Sequence, residues 1–100
     1  QRKDAELTLS KLNYIYPENE EIHRLLSKLA LEDGNTAIAV RESEALLALQ
    51  AGDPADTHYQ LARALQAAHR PNEAKEQVIL ALEAAPDFKP AQQLLLQLSQ

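Results

Sequence analysis

A chain of 100 residues with a formal net charge of −5 and no cysteine has no disulfide or thiolate chemistry, and its acidic balance argues against following a phosphate backbone. No apolar run reaches the roughly 18 residues that a membrane-crossing helix needs, so neither nucleic-acid binding nor membrane insertion is expected. With 45% apolar residues but only one Phe, three Tyr and no Trp, the core must come from Leu, Ala, Ile and Val, a set that suits helices better than sheets.

Taken in chain order, the periodicity and its breaks predict six helices, over roughly 3–16, 19–32, 36–51, 54–67, 71–84 and 88–99. The first ends in Tyr14, Ile15 and Tyr16 before Pro17, an apolar cluster expected to seal that helix against the next. The second starts from Asn19 as a cap, carries Glu20 and Glu21 in its first turn, and shows Ile22, Leu25, Leu26 and Leu29 on one face. Gly34 and Gly52 suit the left-handed position past the second and third helices. Asp53 caps the fourth helix, with Pro54 at its first position, and Leu61, Leu65 and Ala68 recur at helical spacing. Pro71 opens the fifth, whose apolar positions are Ala74, Val78, Ala81 and Leu82. Pro86-Asp87 precedes a closing helix in which Leu94, Leu95, Leu96 and Leu98 cover more than one face. Short connections imply antiparallel neighbours.

The breaks define a repeat. His58-x2-Leu61-Ala62-x2-Leu65 matches His23-x2-Leu26-Ser27-x2-Ala30, and the two histidines are 35 residues apart. Ala74-x3-Val78-x2-Ala81-x4-Pro86 matches Ala5-x3-Leu9-x2-Leu12-x4-Pro17. With these positions the chain resembles the tetratricopeptide repeat family, of bacterial type, whose unit is about 34 residues long. His58 stands where the family pattern has Trp, and Leu65 where it has Tyr. The copy over residues 20–53 is looser: Ser43 occupies a bulky position, and Ala45 and Ala48 fit only with one residue inserted. The resemblance implies an all-α solenoid of antiparallel hairpins: a half repeat over 1–17, repeats over 20–53 and 55–86, and a closing helix over 88–100. The bottom-up reason is steric. Ala62, Ala74 and Ala81 let the helices of a hairpin approach closely, and Leu61, Leu65 and Val78 fill the space to the next hairpin. The competing reading is a generic helical bundle with chance repetition.

The resemblance also implies a concave groove lined by the first helix of each repeat. The matching positions are Glu21, Arg24, Lys28 and Leu31, then Asp56, Tyr59, Arg63 and Gln66, then Gln93 and Gln97 on the closing helix. Residues four apart, such as Arg24 and Lys28 or Tyr59 and Arg63, share a helix face. The functional reading is a protein-interaction module whose basic stripe, Arg24, Lys28 and Arg63 beside Tyr59, takes an acidic peptide; the plain alternative is a solvated helix face. Asn residues of the family's carboxylate clamp are missing, which argues against a chaperone-tail receptor.

His23 and His58 are expected to pack between helices, each with a ring nitrogen hydrogen-bonded. No metal-ligand set, nucleophile elbow or phosphate loop occurs, so neither cofactor nor catalysis is expected. The chain begins at Gln1 and contains no Met, and it reads as a piece of a longer protein. A second expectation is therefore an accessory domain of a larger bacterial enzyme such as a peptidase. A third is a homo-oligomer formed through the leucine-rich closing helix.

Overall fold

The computed structural model describes all 100 residues. It is all-helical: α1 Arg2–Ile15, α2 Glu20–Glu32, α3 Thr36–Ala48, α4 Pro54–Ala67, α5 Pro71–Ala84 and α6 Lys89–Leu98. Each helix packs chiefly on the ones before and after it in the chain. That is the order of a helical solenoid, in which each unit touches only its neighbours, and the molecule is correspondingly elongated, 37 × 24 × 18 Å.

Local chemistry sets most of the helix ends. The Asn19 side chain accepts from the Ile22 amide and starts α2, and Asp53 accepts from Ala55 before Pro54 opens α4. Both satisfy amides that have no partner within the helix. α2 and α4 end alike. Gly34, at φ +82°, donates to the Leu31 carbonyl while Asn35 donates to Ala30. His69, at φ +61°, donates to Gln66 while Arg70 donates to Leu65. This paired closure uses a left-handed residue just past the helix. α3 stops at Ala48, short of the expected residue 51, because Gln50 at φ 55° closes it first. Its bonds to Leu47, and from Ala51 to Leu46, copy the same pattern. Gly52, also at positive φ, then turns the chain into α4.

The α2–α3 and α4–α5 hairpins repeat at the 35-residue offset. Leu26 and Leu61, Ala30 and Leu65, Ala39 and Ala74, Ser43 and Val78, and Leu46 and Ala81 are equivalent pairs, and all ten residues are buried. One core cluster joins Ala30, Ala39 and Val40 to Leu61, Ala64, Leu65 and Ala74, so it lies across the two hairpins. A second joins Ala62, Val78 and Ala81 to Ala91 and Leu94 and ties α6 to the second hairpin. Burying a side chain such as Leu26 or Val78 completely stabilises the fold by about 1.5–3 kcal/mol each.

Two further expectations meet the structure differently. Tyr14, Ile15 and Tyr16 do not seal α1 against α2; they are 90%, 61% and 55% exposed. The place against Pro17 is filled by the His23 ring, whose Nε2 lies 2.6 Å from the Pro17 carbonyl, and α1 packs only on α2 to any extent. Of the closing leucines, Leu94 is buried, Leu95 and Leu98 are half-buried and Leu96 is exposed, so one face packs and the other meets solvent.

Candidate functional site

Two short reversals carry the chain from α2 through α3 into α4, so α2 and α4 run parallel, with α3 behind them. Between them lies a concave groove of about 490 Å³. Arg24, Ser27, Lys28, Leu31 and Glu32 form the α2 wall. Asp53, Asp56, Thr57, Gln60 and Arg63 form the other, and Ser43 and Leu46 of α3, with Gly52, complete it.

The 35-residue offset explains why these side chains meet. Lys28 and Arg63 are equivalent positions on successive first helices, as are Glu21 and Asp56. Arg24 reaches along the groove to the turn before α4, where its guanidinium lies 3.5 Å from where a Cβ on Gly52 would sit; at its other edge it pairs with Glu21 at 3.6 Å. Arg63 bonds to Gln60 at 3.3 Å and lies 6.0 Å from the Tyr59 ring centroid. Lys28 makes no ion pair. Beneath them the Ser27 and Ser43 hydroxyls bond at 2.9 Å. Their counterparts in the second repeat are Ala62 and Val78, both dry core residues, so the first repeat alone has a polar base to its groove.

The expected residues divide into two groups. Arg24, Lys28, Leu31, Asp56 and Arg63 line this groove together. Glu21, Tyr59, Gln66, Gln93 and Gln97 do not line it. Tyr59 packs edge-on to Phe88, with ring centroids 5.5 Å apart, where it supports α6. Gln66 is half-buried, and Gln93 and Gln97 are exposed on α6. The sequence reading missed Ser27, Ser43, Thr57 and Gln60 as lining residues. A usable signal existed for the serines: a polar pair stands where the other copy has Ala and Val. The charge is also more mixed than a basic stripe implies, since Arg24, Lys28 and Arg63 face Glu32, Asp53 and Asp56.

A second polar cluster is buried behind the groove. His23 Nδ1 lies 2.6 Å from Glu42 Oε1, and both side chains are almost wholly inaccessible. Glu42 Oε1 also accepts from Asn13 at 3.1 Å, and Oε2 from Arg41 at 3.1 Å. The second repeat copies this pair as His58 with Gln77, at 2.7 Å. Both histidines therefore pack between helices with a ring nitrogen bonded. At the start of α1, Glu6 is buried beside Asp33; its burial, together with the Asp33 carboxyl, raises it above the usual carboxylate range, against the pull of Lys3 and Arg2. No three His, Asp or Glu side chains converge as a metal-binding set would, and no helix is long and apolar enough to cross a membrane.

A scan against protein-family models gives no match to this chain, and a search of curated proteins finds no similar sequence.

Proposed function

We propose that this chain is a tetratricopeptide-type repeat domain whose work is to bind a segment of another protein in the groove between α2 and α4. The observation that carries the reading is the convergence of Arg24, Lys28 and Arg63, from successive first helices, on one concave surface of about 490 Å³. The 35-residue repetition of the core, of the helix closures and of the His-to-Glu/Gln pair supports a repeat architecture, and in such architectures the inner surface recognises extended partners. Arg presents paired donors that match a carboxylate, and Lys28 is free to take another. The groove has no nucleophile with an activating base and no convergent acid–base pair, which favours binding over catalysis.

The test is capture of partners from cells of the source organism by the wild type and by the triple variant Arg24→Glu, Lys28→Glu, Arg63→Glu. All three side chains are exposed, so the variant should keep its helical circular dichroism. A partner retained by the wild type and lost by the folded variant is the expected result. Equal retention would move the binding surface off this groove.

A second reading, self-association, is favoured by exposed Tyr14, Ile15 and Tyr16 at one end and Leu96 at the other. Sedimentation velocity across a concentration series distinguishes it: a sedimentation coefficient that rises with concentration supports self-association, and a constant monomer value removes it.

A further inference from the structure

The two end helices carry complementary uncovered faces. α6 is a first helix of the repeat. Gln92 stands 69 residues after His23 and repeats its contact: the Gln92 amide donates to the Pro86 carbonyl at 2.8 Å, as His23 Nε2 does to the Pro17 carbonyl at 2.6 Å. In that register Leu96 holds the place of Ser27, whose hydroxyl meets Ser43 of the second helix α3 at 2.9 Å. α6, however, packs to any extent only on α5, and Leu96 is 68% exposed. α1 is the converse, a second helix. Its Ala5, Leu9 and Leu12 hold the places of Ala39, Ser43 and Leu46 in α3 and of Ala74, Val78 and Ala81 in α5, all six of which are buried. In α1 the first two are only half-buried and Leu12 is exposed, because α1 packs to any extent only on α2, the first helix of the following hairpin. Terminal helices of a solenoid normally turn a polar side outward. Here residues 90–100 include no charged side chain, and the three α1 positions are all apolar. Such freedom from charge belongs to the centre of an interface.

We propose that this chain associates head to tail with further copies of itself: α6 of one copy docks on α1 of the next and acts as the first helix of the hairpin to which α1 is the second. This deepens the self-association reading and rests on it. The new hairpin copies α2–α3 and α4–α5. Leu96 meets Leu9 of the next copy as Ser27 meets Ser43, and Gln92 meets Thr8 as His23 meets Glu42 and His58 meets Gln77. Leu96 and Leu9 shield each other from water, the main driving term in association. Tyr14 takes no part: it holds the place of Ala48, which stays exposed in its own hairpin. The two docking faces differ and lie on the first and last helices of a molecule 37 Å long. Each copy added leaves one face of each kind open, so association continues past the dimer.

The chain has no cysteine, so introduced ones report the contact. Leu9→Cys/Leu96→Cys, shown to be folded and then oxidised with diamide, should give a ladder of dimers, trimers and larger species on a non-reducing gel. The Ser27–Ser43 contact shows that these two positions bring side chains within reach of a disulfide. A one-to-one mixture of the two single variants should form its mixed dimer at least about tenfold faster than Tyr14→Cys mixed with Leu96→Cys, although Tyr14 is 90% exposed. Sedimentation velocity is run beside this on the wild-type chain and on Leu96→Glu, a change at an exposed position. The wild-type coefficient should rise with concentration up to about a millimolar, and Leu96→Glu should move that rise to concentrations at least about tenfold higher. If the wild type stays monomeric throughout, self-association falls and the head-to-tail arrangement with it. If Leu96→Glu associates as the wild type does, or the Tyr14 mixture cross-links as fast as the Leu9 mixture, head-to-tail docking falls while self-association stands.

Discussion

At the scale of single residues, the buried His23–Glu42 pair shows how much of this fold depends on satisfying polar groups. The Pro17 carbonyl can only accept, so His23 Nε2 must carry a hydrogen and donate to it. Nδ1 lies against Glu42 Oε1 at 2.6 Å, and the other contacts of Glu42, Asn13 and Arg41, are donors. Removing His23 leaves the Pro17 carbonyl without its donor and Glu42 held only by Arg41 and Asn13, a loss of about 1–3 kcal/mol for a buried polar group left short of a partner, whereas replacing both partners with apolar groups of similar volume is often neutral. His23→Phe should therefore lose about that much in urea unfolding, and His23→Phe/Glu42→Leu should recover most of it. A double variant no more stable than the single would show that the ring's shape, rather than its bond to Glu42, matters here. The sequence placed His23 correctly between helices because the repeat puts it at a packing position. It did not name Glu42, because a glutamate on a helix reads as solvated surface by default. Its burial follows from a pairing visible only when both repeats are aligned: His23 with Glu42, and His58 with Gln77, are each 19 residues apart.

At the scale of helices, caps were the most legible feature and helix ends the least. Asn19, Asp53 and Pro54 act where their chemistry puts them, since a cap is local and needs no tertiary information. The end of α3 was misplaced because Gln50, not Gly52, takes the closing left-handed conformation, and glutamine gives no sequence warning of it. The same strain occurs at His69, which holds φ +61° at the position where the first repeat has Gly34 at φ +82°. A left-handed conformation costs a non-glycine residue about 1–2 kcal/mol. His69 is exposed, and its backbone amide already makes the closing bond. His69→Gly should therefore stabilise the chain by about 1 kcal/mol, less what glycine adds to unfolded-chain entropy. In a domain of this size that is a rise in Tm of about 4 °C. Calorimetry checks it: an unchanged or lower Tm would mean that the His69 ring contributes more than its backbone strain costs.

At the scale of the molecule, stability should fall from the middle of the stack to its ends. The clusters that bind the hairpins together draw on α2 to α6 and include no residue of α1. The only buried side chain of α1 is Glu6, and its apolar end, Tyr14 to Tyr16, packs on little. α1 is instead held by polar contacts: Asn13 to Glu42, Arg2 to the Glu32 carbonyl, and Arg2 and Lys3 with Asp33. Glu6 sits among these, raised by burial and by Asp33. A carboxyl raised in the folded state favours folding while it is protonated. Its contribution is complete below the ordinary carboxylate range and is lost as pH rises through the raised value. Docking of α1 should therefore weaken as the pH rises from acid toward neutral, although the rest of the chain need not follow. Amide exchange, corrected for its intrinsic pH dependence, resolves this by helix. Amides of α1 should exchange faster than those of α4 and α5 throughout, and their protection should fall across the window in which Glu6 ionises. Glu6→Gln, which cannot ionise, should flatten that fall and leave α4 and α5 unchanged. Equal protection of α1 and α4 would mean that the polar contacts fasten α1 as firmly as apolar packing fastens the core. A pH-dependent loss that survives in Glu6→Gln would move the responsible proton to another group.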